Sequence, residues 1–479
     1  MNTWSAWVAR KTASSGVPGT TFFLPTTGAA GGAAETLSGD ASAAKQSRWY
    51  FPVRAKFAIS LLVAGAWLGL STWLAQDWMG ELAALTGWTV AFLIVAGIAL
   101  VPGFMTAFIA TSLLLDRRPP RVARTSHPGI SILIAAYNEE ASIADTLHSI
   151  SRSDYPGEYE VIVIDDGSRD ATAAIAESVG YPWQRVLRQT HNQGKSAALN
   201  RGLVEARHDL VVTLDADSYL YKDALTRLVQ RYLSDPQNTR AVAGAMLVRN
   251  SRRNWVTKAQ EWDYFHGIAA IKRVQSLYQG TLVAQGAFSI YDRQTLIDVG
   301  GWVDCVGEDI VLTWAILRAG WRVGHAEDAC CFTNVPETLK QFVRQRQRWA
   351  RGMMEAFRRH ASLLRKPRMS TLFVWWNLVF PWLDLAYTFF FIPGVVLALF
   401  GIYWIAGPLT LALLPMAMAM NFLMYSIGSR MFSRQGLRVR HNPSGFLVYA
   451  LAYSAILQPA CLWGYCSEAL GLRKTWGTK

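Results

Sequence analysis

Cysteine is scarce in this sequence, and no two cysteines stand in a C-x-x-C pair. Five in 479 residues argue against a zinc ribbon or a disulfide framework. Cys330 and Cys331 are adjacent, Cys461 and Cys466 fall inside an apolar run, and with Cys305 all five read as structural thiols. Negative charge is also short: 34 Asp and Glu face 47 Lys and Arg, a formal net charge of +13. A nucleic-acid binder would explain that charge but not a hydrophobic fraction of 51%. A membrane protein explains both, because Lys and Arg gather on cytoplasmic loops and beside anionic lipid.

Residues 1–50 lack a sustained period, and they lack the compact apolar stretch and cleavage site of a signal peptide. Rich in Gly, Ala, Ser and Thr, they are expected to be disordered. Residues 51–116 are expected to hold two transmembrane helices, near 57–75 and 86–115, each approaching the ~20 residues that cross a bilayer. Their connection carries Asp77 and Glu81 but no Lys or Arg. Arg48, Arg54 and Lys56 precede the pair, and Arg117, Arg118, Arg121 and Arg124 follow it. The positive-inside rule therefore places both flanks in the cytoplasm.

Apolar sequence returns in the C-terminal third. Residues 361–380, with TLFVWWNLVF at 371–380, read as an interfacial helix. Residues 381–468 offer two or three transmembrane helices, near 382–404, 408–428 and 444–466, and 469–479 form a tail. The loop 430–441 holds Arg430, Arg434, Arg438 and Arg440 and reads as cytoplasmic. Its R-x-x-x-R spacing also suits a nucleotide second messenger, but the apolar remainder leaves no room for a receptor barrel. Three spans would put the tail outside, with Arg473, Lys474 and Lys479, against the same charge rule. The count therefore stays at two or three.

Between these segments, residues 125–360 read as an α/β domain. The β-rich runs ISILIAAY (130–137), YEVIVID (159–165) and DLVVTLD (209–215) alternate with helical patterns, as in a parallel sheet with crossover helices. Ligands of open parallel sheets bind beyond the carboxyl ends of the strands. There the sequence places Ala136-Tyr137-Asn138-Glu139-Glu140, then Asp165-Asp166-Gly167-Ser168, then Asp215-Ala216-Asp217. Asn138 or Ser168 could simply cap a helix, but capping gives Asp165 and Asp166 no reason to end an apolar strand. Asp215 and Asp217, two apart on a strand, would share a face. Paired carboxylates attract a hard cation such as Mg²⁺ or Mn²⁺, which also binds a diphosphate. A lone D-x-D is a weak signal; its place at a strand tip strengthens it.

The Gly194-Lys195-Ser196 triplet invites a P-loop reading, which fails because Gln189 stands where that loop needs glycine. Lys195 at a helix start can still neutralise a diphosphate, or be an ordinary solvated lysine. Gly307-Glu308-Asp309 opens another helical run, where carboxylates also suit the helix dipole. A functional reading makes Asp309 a general base. In Gln345-Arg346-Gln347-Arg348-Trp349, helical spacing puts Gln345, Arg348 and Trp349 on one face. Arg348 offers planar donors to a diphosphate, and the indole offers a sugar ring a flat apolar surface. An amphipathic interfacial helix is the alternative, supported by Arg344, Arg351, Arg358, Arg359 and Arg365, and both readings can hold at once on different faces.

Taken in order, AYNEE, DDGS, NQGKSAALN, DAD, GED and QRQRW resemble the processive family 2 glycosyltransferases, which include cellulose, chitin, hyaluronan and poly-N-acetylglucosamine synthases. The resemblance spans roughly 130–352 and implies a GT-A fold: a Rossmann-like mixed, mainly parallel sheet in a cytosolic domain flanked by transmembrane α-helices. It implies nucleotide contacts from Tyr137, Glu139, Asp165, Asp166, Lys195 and Asp215, and metal contacts from Asp215 and Asp217. It makes Asp309 the catalytic base and gives Gln345, Arg348 and Trp349 to the diphosphate and acceptor.

The implied partners are a UDP-sugar, a growing glycan, the lipid bilayer and Mg²⁺ or Mn²⁺, with no nucleic acid. Many such synthases also use a small membrane accessory subunit. The implied setting is a multi-pass protein of the bacterial inner membrane with a cytoplasmic catalytic domain. Within the family, Glu308-Asp309-Ile310, Leu312-Thr313-Trp314, Ala319-Gly320-Trp321-Arg322 and Val335-Pro336-Glu337-Thr338-Leu339 are similar to bacterial poly-β-1,6-N-acetylglucosamine synthases. Gly307 stands where those enzymes usually carry Thr, and Val283-Ala284-Gln285-Gly286-Ala287-Phe288 departs from their pattern. The expected activity is inverting polymerisation of a UDP-sugar, with UDP-N-acetylglucosamine preferred. Other β-glycan synthases, a single-addition transferase acting on a lipid carrier and a non-catalytic membrane partner are the alternatives.

Overall fold

The protein is described by a computed structural model over residues 23–25, 51–116, 126–406, 408–433, 437–439 and 441–472. Apart from 23–25, the segment 1–50 lies outside the described residues, as do Arg117, Arg118, Arg121, Arg124, Arg434, Arg440, Arg473, Lys474 and Lys479.

The chain enters through α1 (Val53–Leu74), α2 (Gln76–Thr86, bearing Asp77 and Glu81) and α3 (Trp88–Leu115). β1 (Ile130–Ala136) follows, apolar but for Ser131, because the sheet it joins is covered on both faces. Alternate residues serve opposite cores, as the two-residue period of a strand requires. Ile130, Ile132 and Ile134 pack on one side, while Leu133 packs on the other. The first core is completed by α4 (Ile143–Ser151), β2 (Tyr159–Asp165) and α5 (Thr172–Val179), through Leu147, Ile150, Val163 and Ala176. Each of the Leu, Ile and Val side chains contributes about 1.5–3 kcal/mol when fully buried.

β3 (Gln184–Arg188) is an edge strand that the sequence reading missed. Its residues are half-buried or exposed and its Arg188 pairs with Glu177 at 2.6 Å, so it carries no apolar run to betray it. The D-x-D segment therefore follows the fourth strand, not the third. After α6 (Lys195–Glu205) come β4 (Leu210–Leu214), β5 (Ser218–Leu220), α7 (Ala224–Ser234), β6 (Thr239–Val248) and α8 (Trp255–His266). The domain closes with β7 (Phe288–Asp292), α9 (Glu308–Arg318) and β8 (Arg322–Thr333).

The eight strands lie in the order β3-β2-β1-β4-β7-β6-β8-β5. β3, β2, β1 and β4 run parallel, and β6 is parallel to β8. β7 runs antiparallel to both its neighbours, and β5 antiparallel to β8. The sheet is thus mixed and mainly parallel, as expected. The order reverses between β1 and β4, and the crevice at that reversal is where such sheets take ligands.

Helix α10 (Leu339–His360) starts with a capping box: Gln341 N donates to Thr338 Oγ1 while Gln341 Oε1 accepts from the Thr338 N–H. α11 (Thr371–Leu399), α12 (Pro408–Ser433) and α13 (Pro443–Ala469) end the fold. Residues 371–380 form no separate element but the first turns of α11. Among the described residues, α1, α3, α11 and α13 are long and apolar enough to cross a membrane.

α10 ties the domain to α13. A Cβ on Gly464 would meet Gln347 O at 2.6 Å, so glycine there lets the two backbones touch. Arg351 and Arg358 of α10 reach Glu468 of α13 at 3.1 and 2.7 Å. One core runs unbroken from Leu133 and Ile164 through Trp314, Met353 and Phe373 to Phe108.

Candidate active site

The loops after β1 and β2 are stitched into one rim. Asn138, at φ 55°, donates its N–H to Ser168 Oγ at 3.0 Å and accepts from Arg169 N at 2.9 Å. Glu139 N donates to Thr172 Oγ1 at 2.7 Å, and Ser142 Oγ donates to Glu139 Oε2 at 2.8 Å. Neither Asn138 nor Ser168 caps a helix, since α4 and α5 begin further on. Tyr137 is 40% exposed on this rim.

Asp165 and Asp166 divide their tasks. Asp165 is buried, accepts from Ser168 N at 3.4 Å, and keeps Oδ1 buried without a hydrogen-bond partner. Asp166 spends both oxygens on the Gln193 and Gly194 N–H groups, each at 2.8 Å. Burial raises the Asp166 pKa, and those two bonds oppose the rise. Asp166 therefore shapes the turn that starts α6. Gly167 serves the same approach: its φ is +69°, and a Cβ there would meet His191 C at 2.6 Å.

Lys195 is the first residue of α6, as expected, after Gly194 at φ +92°. Its Nζ lies 2.6 Å from Asp215 Oδ1 and 3.4 Å from Glu308 Oε1. Burial works against the ammonium, but Asp215, Glu308 and Asp309 together hold its pKa above the ordinary lysine value. The lysine thus joins the D-x-D segment to the start of α9.

The expected strand alternation does not apply to Asp215 and Asp217, which lie beyond the end of β4 and interact electrostatically. β4 ends at Leu214, and Ser218 N donates to Asp215 O at 3.0 Å, closing a turn. Burial, then the charges of Asp215 and Glu139, push the Asp217 carboxyl up to about 7. These residues fit a divalent cation. Both offer the oxygen ligands a hard ion prefers, burial and the charges of Asp215 and Glu139 outweigh the pull of Lys195 on the Asp217 carboxyl, and a lysine ammonium stands against Asp215. Among the described residues no group of three His, Cys, Asp or Glu is arranged for a metal, so further ligands would come from the diphosphate or water.

Gly307 precedes Glu308 and Asp309, and its contact explains its identity. A Cβ on Gly307 would meet Gly352 Cα at 2.5 Å, and one on Gly352 would meet Gly307 Cα at 2.7 Å. α9 and α10 cross there, braced by a Trp314–Phe357 edge contact at 4.8 Å. Gly307 N donates to Glu355 Oε2 at 3.1 Å. Burial raises the Glu308 pKa, against the charge of Lys195 and, more weakly, of Arg348. Asp309 is half-buried and accepts from the Ile310 N–H at 2.7 Å.

On α10, Trp349 is 45% exposed and Gln345 is buried with Oε1 unpartnered. Arg348 is half-buried. Sequence reasoning missed two neighbours. Glu308 received no role there, yet it holds Lys195. Lys272, at the end of a π-helical stretch Gly267–Lys272, has its pKa lowered to about 8 by burial, with Asp309 pulling the other way. No motif marks it; a lysine in GIAAIK signals nothing by spacing.

Comparison with known proteins agrees with this geometry. Residues 127–352 match the family model "Glycosyltransferase like family 2". The chain is 34% identical over 248 residues to the poly-beta-1,6-N-acetyl-D-glucosamine synthase of Staphylococcus aureus (strain COL), covering 51% of this chain and 60% of that protein. The Staphylococcus epidermidis synthase of the same name is 34% identical over 249 residues, with the same shares. The chain thus spans about three-fifths of the length of these relatives. Among solved structures, the mannosyltransferase PcManGT from Pyrobaculum calidifontis, in complex with GDP-Man and Mn²⁺, aligns with a TM-score of 0.52 at 21% identity. That match covers 82% of this chain and 99% of PcManGT, a likeness of fold. Residues 127–352 are a domain of glycosyltransferase family 2, built on a GT-A sheet.

Proposed function

We propose that the chain is a membrane-embedded inverting glycosyltransferase that polymerises a UDP-sugar into a β-linked polysaccharide. The preferred donor is UDP-N-acetylglucosamine and the product poly-β-1,6-N-acetylglucosamine. The observation that carries this reading is the Lys195 ammonium, 2.6 Å from Asp215 and 3.4 Å from Glu308. It joins the D-x-D turn to the helix that bears Asp309. The 34% identity to staphylococcal synthases supports the choice of sugar.

In this reading Tyr137, Glu139 and Asp165 hold the uridine, and the unpartnered Asp165 oxygen accepts from the base. Asp215 and Asp217 hold Mg²⁺ or Mn²⁺, which when bound neutralises the departing diphosphate. Lys195, released from Asp215, and Arg348 donate to the same phosphate oxygens as negative charge grows on them. Asp309 takes the proton from the acceptor hydroxyl, which attacks opposite the leaving group and inverts an α-linked donor. Trp349 supports the sugar at the chain's end, beside Gln345. The domain would lie in the cytoplasm of a bacterial cell, with α1, α3, α11 and α13 in the inner membrane and a glycan path between them. A small accessory subunit would be a further partner.

The test supplies the protein in lipid nanodiscs with Mg²⁺ and radiolabelled UDP-N-acetylglucosamine, UDP-glucose or UDP-glucuronate, followed by linkage analysis of ethanol-insoluble product. A β-1,6-linked polymer from the first donor alone is the expected result. Polymer from another donor would replace the sugar assignment, and a single-sugar glycolipid would remove polymerisation.

A further inference from the structure

Arg346 carries none of the roles above, yet with Glu355 it is one of the two most enclosed charged side chains on α10. It is 4% exposed, and its guanidinium carbon stands 4.1 Å from the centroid of the Trp349 ring and 5.0 Å from that of Phe342. Residues three and four apart on a helix are neighbours, so Phe342, Arg346 and Trp349 form one ladder along α10. Tyr453 of α13 adds a third ring at 6.0 Å. The charge is balanced from another element: Arg346 Nη2 lies 2.9 Å from Asp263 Oδ2, on α8.

An indole that is nearly half exposed on a helix has several rotamers open to it. A planar cation over one face removes that freedom, and Asp263 in turn fixes the cation. We infer that Arg346, held by Asp263, is a positioning residue that fixes the Trp349 indole as a platform for the acceptor sugar. The inference rests on the proposed acceptor role of Trp349. Arginine suits the task better than lysine, because its flat guanidinium stacks on a ring while pairing with a carboxylate at its edge. Fixing the ring before binding removes an ordering cost that the acceptor would otherwise bear. The proposed donor side is built on the loops after β1, β2 and β4, whereas this ladder stands on α8, α10 and α13.

The test uses the full chain in lipid nanodiscs and two probes, UDP and an unlabelled β-linked N-acetylglucosamine tetrasaccharide, with binding measured by titration calorimetry. Arg346→Lys and Asp263→Asn should each weaken tetrasaccharide binding at least about fivefold and leave UDP affinity unchanged. Trp349→Ala should weaken it further. In the Trp349→Ala background, Arg346→Lys should then add nothing, because its effect passes through that ring. Wild-type tetrasaccharide affinity in Arg346→Lys would overturn the inference alone. So would independent effects that multiply in the double variant, or a parallel loss of UDP affinity, which would mark a purely architectural role. Failure of the wild-type protein to bind the tetrasaccharide while binding UDP would instead remove the acceptor role of Trp349, and this inference with it.

Discussion

Lys195 Nζ and Asp215 Oδ1 lie 2.6 Å apart at the reversal point of the sheet. The lysine supplies positive charge to both carboxylates of the D-x-D turn. Lys195→Ala leaves Asp215, Asp217, Glu308 and Asp309 without it and removes the donor proposed for the diphosphate. Turnover should fall about 10²–10³-fold, the usual cost of losing one charge-stabilising donor. UDP release from UDP-N-acetylglucosamine under saturating donor measures it.

The metal role proposed for Asp217 makes cation binding depend on pH. A protonated carboxyl is no ligand, so proton and metal compete. Its carboxyl is raised to about 7. The apparent affinity for Mn²⁺ should therefore rise as pH increases from 5.5 and level off above about 7. Electron paramagnetic resonance of free Mn²⁺ reads this directly. Asp217→Asn should flatten the profile and lower affinity throughout.

Much of this site was legible because it sits where a parallel sheet must expose polar residues. The tips of β1, β2 and β4 could be named from apolar runs that end in Asn, Asp and Glu. The start of α6 at Lys195 and of α9 at Glu308 followed from local pattern. What escaped has physical causes. β3 is a half-exposed edge strand with no apolar run. Asp215 and Asp217 lie in a turn, which alternation along a strand does not foresee. The pairing of Lys195 with Glu308, and of Arg346 with Asp263, joins residues distant in sequence. Spacing cannot show such contacts. The motif rules placed Gln345, Arg348 and Trp349 on one face and passed over the arginine beneath the indole.

Gly307 and Gly352 offer a test of packing. Their Cα atoms occupy the space a side chain would need, with a Cβ on Gly307 only 2.5 Å from Gly352 Cα. Gly307→Thr installs the residue usual in similar synthases. Here it should force α9 and α10 apart at a cost of about 1–3 kcal/mol. The midpoint of thermal unfolding should drop, and transfer should fall as Asp309 moves. A midpoint equal to that of the wild type would mean the crossing is loose.

The most direct measurement compares wild-type protein with Asp309→Asn in nanodiscs, supplied with Mg²⁺ and radiolabelled UDP-N-acetylglucosamine. UDP affinity should be the same in both proteins, because Asp309 lies on α9 and not on the rim proposed to hold the uridine. Ethanol-insoluble polymer should form with the wild type and fall about 10²–10⁴-fold in the variant, as loss of a general base predicts. Polymer made by Asp309→Asn at the wild-type rate would contradict the assignment of Asp309 as the base.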